Sequence, residues 1–160
     1  MDIPIFKKIT YANENTMEKM TRWMYDWWGR DEGLLREAVK CFVEHSMKDD
    51  RLPQTYGLFL GDELIGMYQF VYDDLMARPD IYPWLANVYI DEDHRGRGFG
   101  RLLMENIKNT ALENTAFDTL YLYTEHSGLY EKFGWEFVEN IDTFIEGKRI
   151  QRLYALRLER

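Results

Sequence analysis

Three arginines and three glycines fall within seven residues, Arg95-Gly96-Arg97-Gly98-Phe99-Gly100-Arg101. The chemistry they offer is anion binding. Glycines let a backbone approach a phosphate closely and take φ > 0 where a cradle requires it, and the arginines add charge of the right sign. A helix-like pattern opens at Arg101, so unpartnered first-turn amides and the positive end of a helix dipole would face the same ligand. Two phosphate motifs are excluded by the residues themselves. A P-loop needs Lys-Ser or Lys-Thr after its glycines, and none follows here. A dinucleotide fingerprint starting at Gly96 accepts Gly98, but its third glycine position falls on Arg101. The pattern that fits is R-x-x-G-x-G, as Arg95, Gly98 and Gly100.

Elements of definite kinds must hold this turn. Before it runs Trp84-Leu85-Ala86-Asn87-Val88-Tyr89-Ile90, apolar and β-prone, followed by the charged turn Asp91 to Arg95. After it, Leu103, Ile107 and Ala111 recur on one side of a helix. Upstream, Ile3 to Ala12 reads as a first strand. Asn13 or Asn15 can cap a helix carrying Met17, Met20, Trp23, Met24 and Trp27 on one face, ended by Gly29. Asp31 can cap a second helix through Leu34, Leu35, Ala38, Val39, Phe42 and Met47. Gln54 to Leu60 and Glu63 to Tyr72 form a hairpin across Gly61-Asp62, and 73–83 is a loop. Downstream, Thr119–Thr124 is a strand, Ser127–Phe133 a short helix, and Trp135–Glu139 and Ile150–Leu158 are closing strands. The order is mixed α/β rather than a regular doubly wound alternation.

The 160 residues suffice for one domain with its own core, spanning 1–160. A formal charge of −8 argues against nucleic acid and favours a cationic second substrate. No apolar run approaches the roughly 20 residues of a membrane span, and Met-Asp-Ile-Pro-Ile-Phe lacks the form of a signal peptide. The single Cys41 has no partner for an internal disulfide, which fits a cytoplasmic location. Three scattered histidines and one cysteine show no metal-ligand spacing, so no metal is expected.

A second motif follows the strand at Thr119–Thr124: Leu129-Tyr130-Glu131-Lys132-Phe133-Gly134-Trp135-Glu136-Phe137. With Arg95, Gly98 and Gly100 one helix and one strand earlier, it resembles the GNAT superfamily of N-acetyltransferases. The resemblance covers the element order of nearly the whole chain; in residue detail it runs from about Gln54 to Phe137. It implies a mostly antiparallel mixed sheet of six to seven strands, with splayed central parallel strands and about four flanking helices. It implies acetyl-CoA as co-substrate and an amine acceptor. Pantetheine would pair with the strand edge at Val88, Tyr89 and Ile90, one N–H polarising the thioester carbonyl. The pyrophosphate would lie on Arg95, Gly96, Arg97, Gly98, Phe99, Gly100 and Arg101, and Tyr130 would be the general acid toward the leaving thiolate. Arg97 reads equally well as a solvated side chain. One departure stands out: many members carry an Asn before the motif tyrosine, and here the loop is Glu125-His126-Ser127-Gly128.

The acceptor side is less determined. Asp73, Asp74 and Glu125 are candidates for holding or deprotonating an amine, and Asn87 for positioning a water. Tyr82, Trp84 and Trp28 are candidate acceptor contacts, although the stripe beside Trp28 also reads as core. Small amines, antibiotics and peptide N-termini all remain open as acceptors. A non-catalytic CoA-binding or sensing domain is the alternative reading. Family proteins are often dimers, but no residue here marks an interface.

Overall fold

A computed structural model of the chain describes residues 3–160, so Met1 and Asp2, which begin the segment read for a leader, lie outside the described residues. Seven strands form one mixed sheet in the order β1-β2-β3-β4-β5-β7-β6. They are β1 (Ile5–Ile9), β2 (Gln54–Leu60), β3 (Glu63–Val71), β4 (Trp84–Ile90), β5 (Thr119–Thr124), β6 (Glu136–Asp142) and β7 (Ile150–Arg157). The helices are α1 (Glu14–Met24), α2 (Arg36–Glu44) and α3 (Phe99–Asn114). β1 runs antiparallel to β2, and β7 antiparallel to both β5 and β6, whereas β4 and β5 are parallel, with Trp84 opposite Tyr121. The expected mixed, mostly antiparallel sheet with a central parallel pair is present. The chain divides into two compact units, one comprising the chain up to Gln69 with Asn87–Leu103, the other Phe70–Ala86 with Met104–Arg160.

In the first unit, Asn13 caps α1, its side chain accepting from the Thr16 amide at 2.9 Å. All of the expected stripe but Trp27 becomes core: Met17, Met20, Trp23 and Met24 are buried with Val39 and Val43 of α2 and with Leu64 and Met67 of β3, whereas Trp27, in the irregular turn after the helix, is exposed. Two expectations need correction. The first helix does not continue as an α-helix to Gly29; after Met24 it loosens into a π turn over Tyr25–Gly29, closed by Arg30 N to Tyr25 O at 2.9 Å. Nor does Asp31 cap the second helix, which starts at Arg36 after an extended Leu35. The reason lies at Gly29, where a Cβ would stand 2.8 Å from Val39 Cγ2. The close approach of α2 thus leaves no room for a side chain at Gly29, where the turn ends. A second close approach lies beneath β4. A Cβ at Gly66 would stand 2.7 Å from Ile90 Cδ1 and 3.1 Å from the Tyr89 carbonyl oxygen.

In the second unit, Val71, Leu75, Ile81, Trp84, Ala86, Ile141 and Leu153 make the core. The β6–β7 hairpin carries a bulge between Phe137 and Glu139. It is clamped at its turn by Arg149, whose Nε and Nη2 donate to the Asp142 carboxylate at 2.7 and 2.6 Å. That clamp holds the Asp142 carboxyl down at about 2. The helix expected from Ser127 is a short 3-10 turn confined to Tyr130–Phe133.

Gly66→Ala is expected to lower stability by roughly 1–3 kcal/mol, the usual cost of overpacking, measured by urea denaturation. It should also disturb the Tyr89 carbonyl. Asp142 contributes stability above the ordinary aspartate pKa that is lost as pH falls through about 2. Asp142→Asn should therefore flatten the acid limb of the wild-type stability profile, read from thermal midpoints between pH 5 and 2.

Candidate active site

Within the first unit, β4 departs from regular strand geometry at one residue. Asn87 has φ 53°, left-handed and non-glycine, a conformation asparagine tolerates better than most residues. Its side chain is fully engaged at the protein end. Trp28 Nε1 donates to Asn87 Oδ1 at 3.1 Å, and Asn87 Nδ2 donates to Gln69 Oε1 at 2.6 Å. The chain continues inward, with Gln69 Nε2 donating to Thr55 Oγ1 at 3.0 Å and that hydroxyl donating to the Ser46 carbonyl at 2.7 Å. Gln69 and Thr55 are fully buried, so both amide ends have the partners burial demands.

Past Asn87, the half-buried Val88, Tyr89 and Ile90 lead to the turn. The Tyr89 ring lies 5.0 Å from Trp23 and 5.7 Å from Trp27, with the Arg95 guanidinium stacked 5.0 Å from its centroid. Ile90 packs instead with Leu58, Ile65 and Phe99. Arg95 Nε donates to the Ile90 carbonyl at 2.9 Å, which folds the side chain back over β4. Gly96 and Gly98 take φ 76° and 85°, so the turn needs glycine at both. Gly98 O receives the first α3 bond, from Leu102 N at 3.2 Å, and the amides just after it open the helix. Gly96, Arg97, Gly98, Gly100 and Arg101 are exposed, whereas Phe99 is buried. Arg97 stacks over the Phe99 ring at 5.0 Å. An exposed helix N-terminus, two left-handed glycines and flanking guanidiniums together suit a diphosphate.

The turn is anchored by charge. Lys19 Nζ lies 3.4 Å from both Glu63 Oε1 and Asp91 Oδ2, and His94 Nδ1 lies 3.4 Å from Asp91 Oδ2. Glu63, Asp91 and His94 could gather round an ion, as could Cys41, Glu44 and His45 on the exposed end of α2. Residue spacing alone did not reveal either group. In the first, the Lys19 ammonium already lies within reach of both carboxylates.

In the second unit, Tyr130 opens the 3-10 turn that Gly134 ends at φ 89°, the left-handed stop its position suggests. The Tyr130 ring is half-buried, 6.2 Å from Trp135 and 5.9 Å from Tyr154. Burial pushes its phenol above the ordinary tyrosine range. Its neighbour Glu131 ties the preceding loop. The Glu131 carboxylate accepts from the Gly128 amide at 3.0 Å and from the Tyr154 hydroxyl at 3.1 Å. Its pKa is lowered, chiefly by its own backbone amide and then by Tyr154 and Gly128. Arg152 Nε in turn donates to the Tyr154 oxygen at 2.9 Å. Glu131, Arg152 and Tyr154 were not singled out from the sequence. Glu131 lies inside the Tyr130 motif, but its partners arrive from β7, which no local pattern reveals.

The other acceptor candidates fall differently. Trp84 is 0% exposed, its indole covered by Tyr121 and Tyr123, so it is a core residue rather than a contact surface. Tyr82 is exposed and packs with Tyr72 and Phe117 in an aromatic group just before β4 and β5. Asp73 is exposed, and Asp74 accepts at its backbone carbonyl from the Tyr123 hydroxyl at 3.3 Å. Glu125 and the side chain of His126 are exposed. No helix among the described residues is long and apolar enough to cross a membrane.

Solved structures of known proteins share this fold. An aminoglycoside 6'-N-acetyltransferase complexed with coenzyme A superposes at a TM-score of 0.74 with 14% identity, over 98% of each chain. An aminoglycoside 6'-acetyltransferase type Ii gives 0.73 and 15%, again over 98% of each chain. A Bacillus subtilis acetyltransferase in complex with CoA gives 0.66 and 19%, over 98% of this chain and 100% of that one. Identities this low establish the fold. The family model of the Acetyltransferase (GNAT) family matches residues 16–135, three quarters of the sequence, spanning both the glycine turn and Tyr130. The chain belongs to the acetyltransferase (GNAT) family.

Proposed function

We propose that residues 1–160 act as one N-acetyltransferase domain, passing an acetyl group from acetyl-CoA to a primary amine by direct attack in a ternary complex. The observation that carries this reading is the Arg95–Arg101 turn, whose left-handed Gly96 and Gly98 and exposed helix start suit a CoA diphosphate. Family membership over residues 16–135 supports it, since members use acetyl-CoA as co-substrate.

In this reading the half-buried edge Val88–Ile90 pairs with the pantetheine amides, and one backbone N–H there stabilises the developing oxyanion. The neutral amine nitrogen attacks the thioester carbon, the C–S bond breaks, and the phenolic proton of Tyr130 passes to the sulfur. The attacking nitrogen sheds a proton to solvent, and the Tyr130 phenolate takes one back from solvent, which restores the acid for the next turnover. Burial favours this role for Tyr130, because a raised pKa keeps the phenol protonated at neutral pH. Glu131, bonded to Gly128 and Tyr154, holds the loop bearing the acid in a sequence that lacks the familiar Asn.

Calorimetric titration should show acetyl-CoA binding; a folded protein with no binding would overturn the proposal. Tyr130→Phe should lower kcat by roughly 10²–10⁴ with acetyl-CoA affinity preserved, and an unchanged kcat would reject the acid role. The pH profile carries a sign. Activity that needs the neutral phenol is full at neutral pH and falls only as pH rises through a value above the ordinary ~10. That alkaline limb should vanish in Tyr130→Phe.

A further inference from the structure

We infer that the acceptor is a small primary amine carrying an aromatic or branched apolar body, seated against Trp27, Trp28 and Phe42. The inference rests on the N-acetyltransferase reading and narrows its substrate class. The π turn, the segment after it and α2 expose large apolar side chains in succession: Trp27 is 43% exposed, Leu34 38%, Leu35 74% and Phe42 37%. Half-buried Trp28 meets Phe42 edge-on at 5.8 Å. Exposed apolar area gathered on one segment marks a binding surface more often than scattered single residues do.

What selects a substrate, rather than any other partner, is the continuity of this surface with β4. Trp28 reaches the strand through its hydrogen bond to Asn87, and Trp27 through its ring contact with Tyr89. These two contacts flank Val88, the start of the edge proposed to present the thioester. An apolar body held on the two indoles therefore keeps its amine beside the reacting carbon. The backbone of this wall is itself irregular on both sides, a π turn at Tyr25–Gly29 and a left-handed Asn87, and both irregularities are more frequent at functional sites.

Charge points away from a polycation. Asp26, adjacent to Trp27, is paired with Arg30 at 2.8 Å; Glu14 is paired with Lys40 at 3.0 Å, and Glu18 with Arg36. Asp31, Glu32, Glu37 and Glu44 are exposed on the same stretch, so the wall joins apolar area to a modest negative field suited to a single ammonium. An apolar wall also aids the chemistry, because desolvation lowers the pKa of an ammonium and so raises the fraction of neutral, attacking amine.

The test follows thiol release from acetyl-CoA with 2-phenylethylamine, isopentylamine, spermidine and kanamycin. One or both of the first two should exceed the last two in kcat/KM by at least about tenfold, the discrimination a fitted apolar pocket supplies. Trp27→Ala removes a half-exposed ring and should raise the KM for the preferred amine about tenfold or more, with a smaller change in acetyl-CoA affinity passed on through Tyr89 to Arg95. Trp28→Phe keeps a ring while removing the bond to Asn87, and should raise the same KM. Preference for spermidine or kanamycin, or an unchanged KM in Trp27→Ala, overturns the inference while leaving the acetyltransferase reading intact. Absence of acetyl-CoA binding overturns both.

Discussion

Asn87 holds a left-handed backbone in the middle of β4, and much of the first unit is arranged to keep it there. Such a residue costs on the order of 1–3 kcal/mol unless its surroundings enforce it. The enforcement is a directed line of hydrogen bonds from the Trp28 indole through Asn87, Gln69 and Thr55 to the Ser46 carbonyl. Each net bond contributes about 1 kcal/mol, but breaking one strands a buried polar group at a cost of about 1–3 kcal/mol. The line is therefore effectively all-or-none. It joins the π turn, β4, β3, β2 and the end of α2, so the irregular strand and the irregular helix turn are enforced by the same bonds.

The turn that follows β4 raises an apparent paradox, a proposed anion site in a chain of net charge −8. Local arrangement resolves it, because potentials at a surface are set by nearby charges within about a Debye length rather than by the sum. Lys19 is set between Glu63 and Asp91, so part of the negative charge beside the turn is offset locally, while Arg95, Arg97 and Arg101 concentrate positive charge on the turn itself. Arg95 is restrained twice, by its bond to the Ile90 carbonyl and by the Tyr89 ring. A restrained guanidinium loses less freedom when a phosphate arrives, and this favours binding without any added contact.

The geometry of the glycine turn was legible in the sequence because backbone makes it. Gly96 and Gly98 are needed for their φ values and Gly134 for its helix stop, so residue type alone reports geometry there. The strands Trp84–Ile90 and Thr119–Thr124 were legible for a related reason: short β-prone runs bounded by turns have few alternatives. What was not legible depends on partners distant in sequence. The π turn ends at Gly29, which lies against Val39 of α2, a contact no local pattern reveals. The burial of Trp84 follows from Tyr121 and Tyr123, and the bonds of Glu131 from Tyr154. Asp31 offered a plausible cap, but local propensity yields when the preceding turn is fixed by packing.

The same contrast explains why one scaffold can keep its donor and change its acceptor. A diphosphate and two amides can be met by amides, carbonyls and glycine conformations, which tolerate wide change in side chains so long as the turn persists. An acceptor body has to be met by side chains. The side chains proposed for that task sit on the π turn and α2, outside the motifs, and Trp28 and Trp27 are tied to β4 through Asn87 and Tyr89. Tyr89 contacts Trp23 and Trp27 as well as the Arg95 guanidinium. Wall and turn thus share a ring, and residues sharing a partner do not contribute additively. A change that repacks Trp27 must pass through Tyr89 to Arg95, which couples choice of acceptor to grip on the donor by direct contact within a single unit.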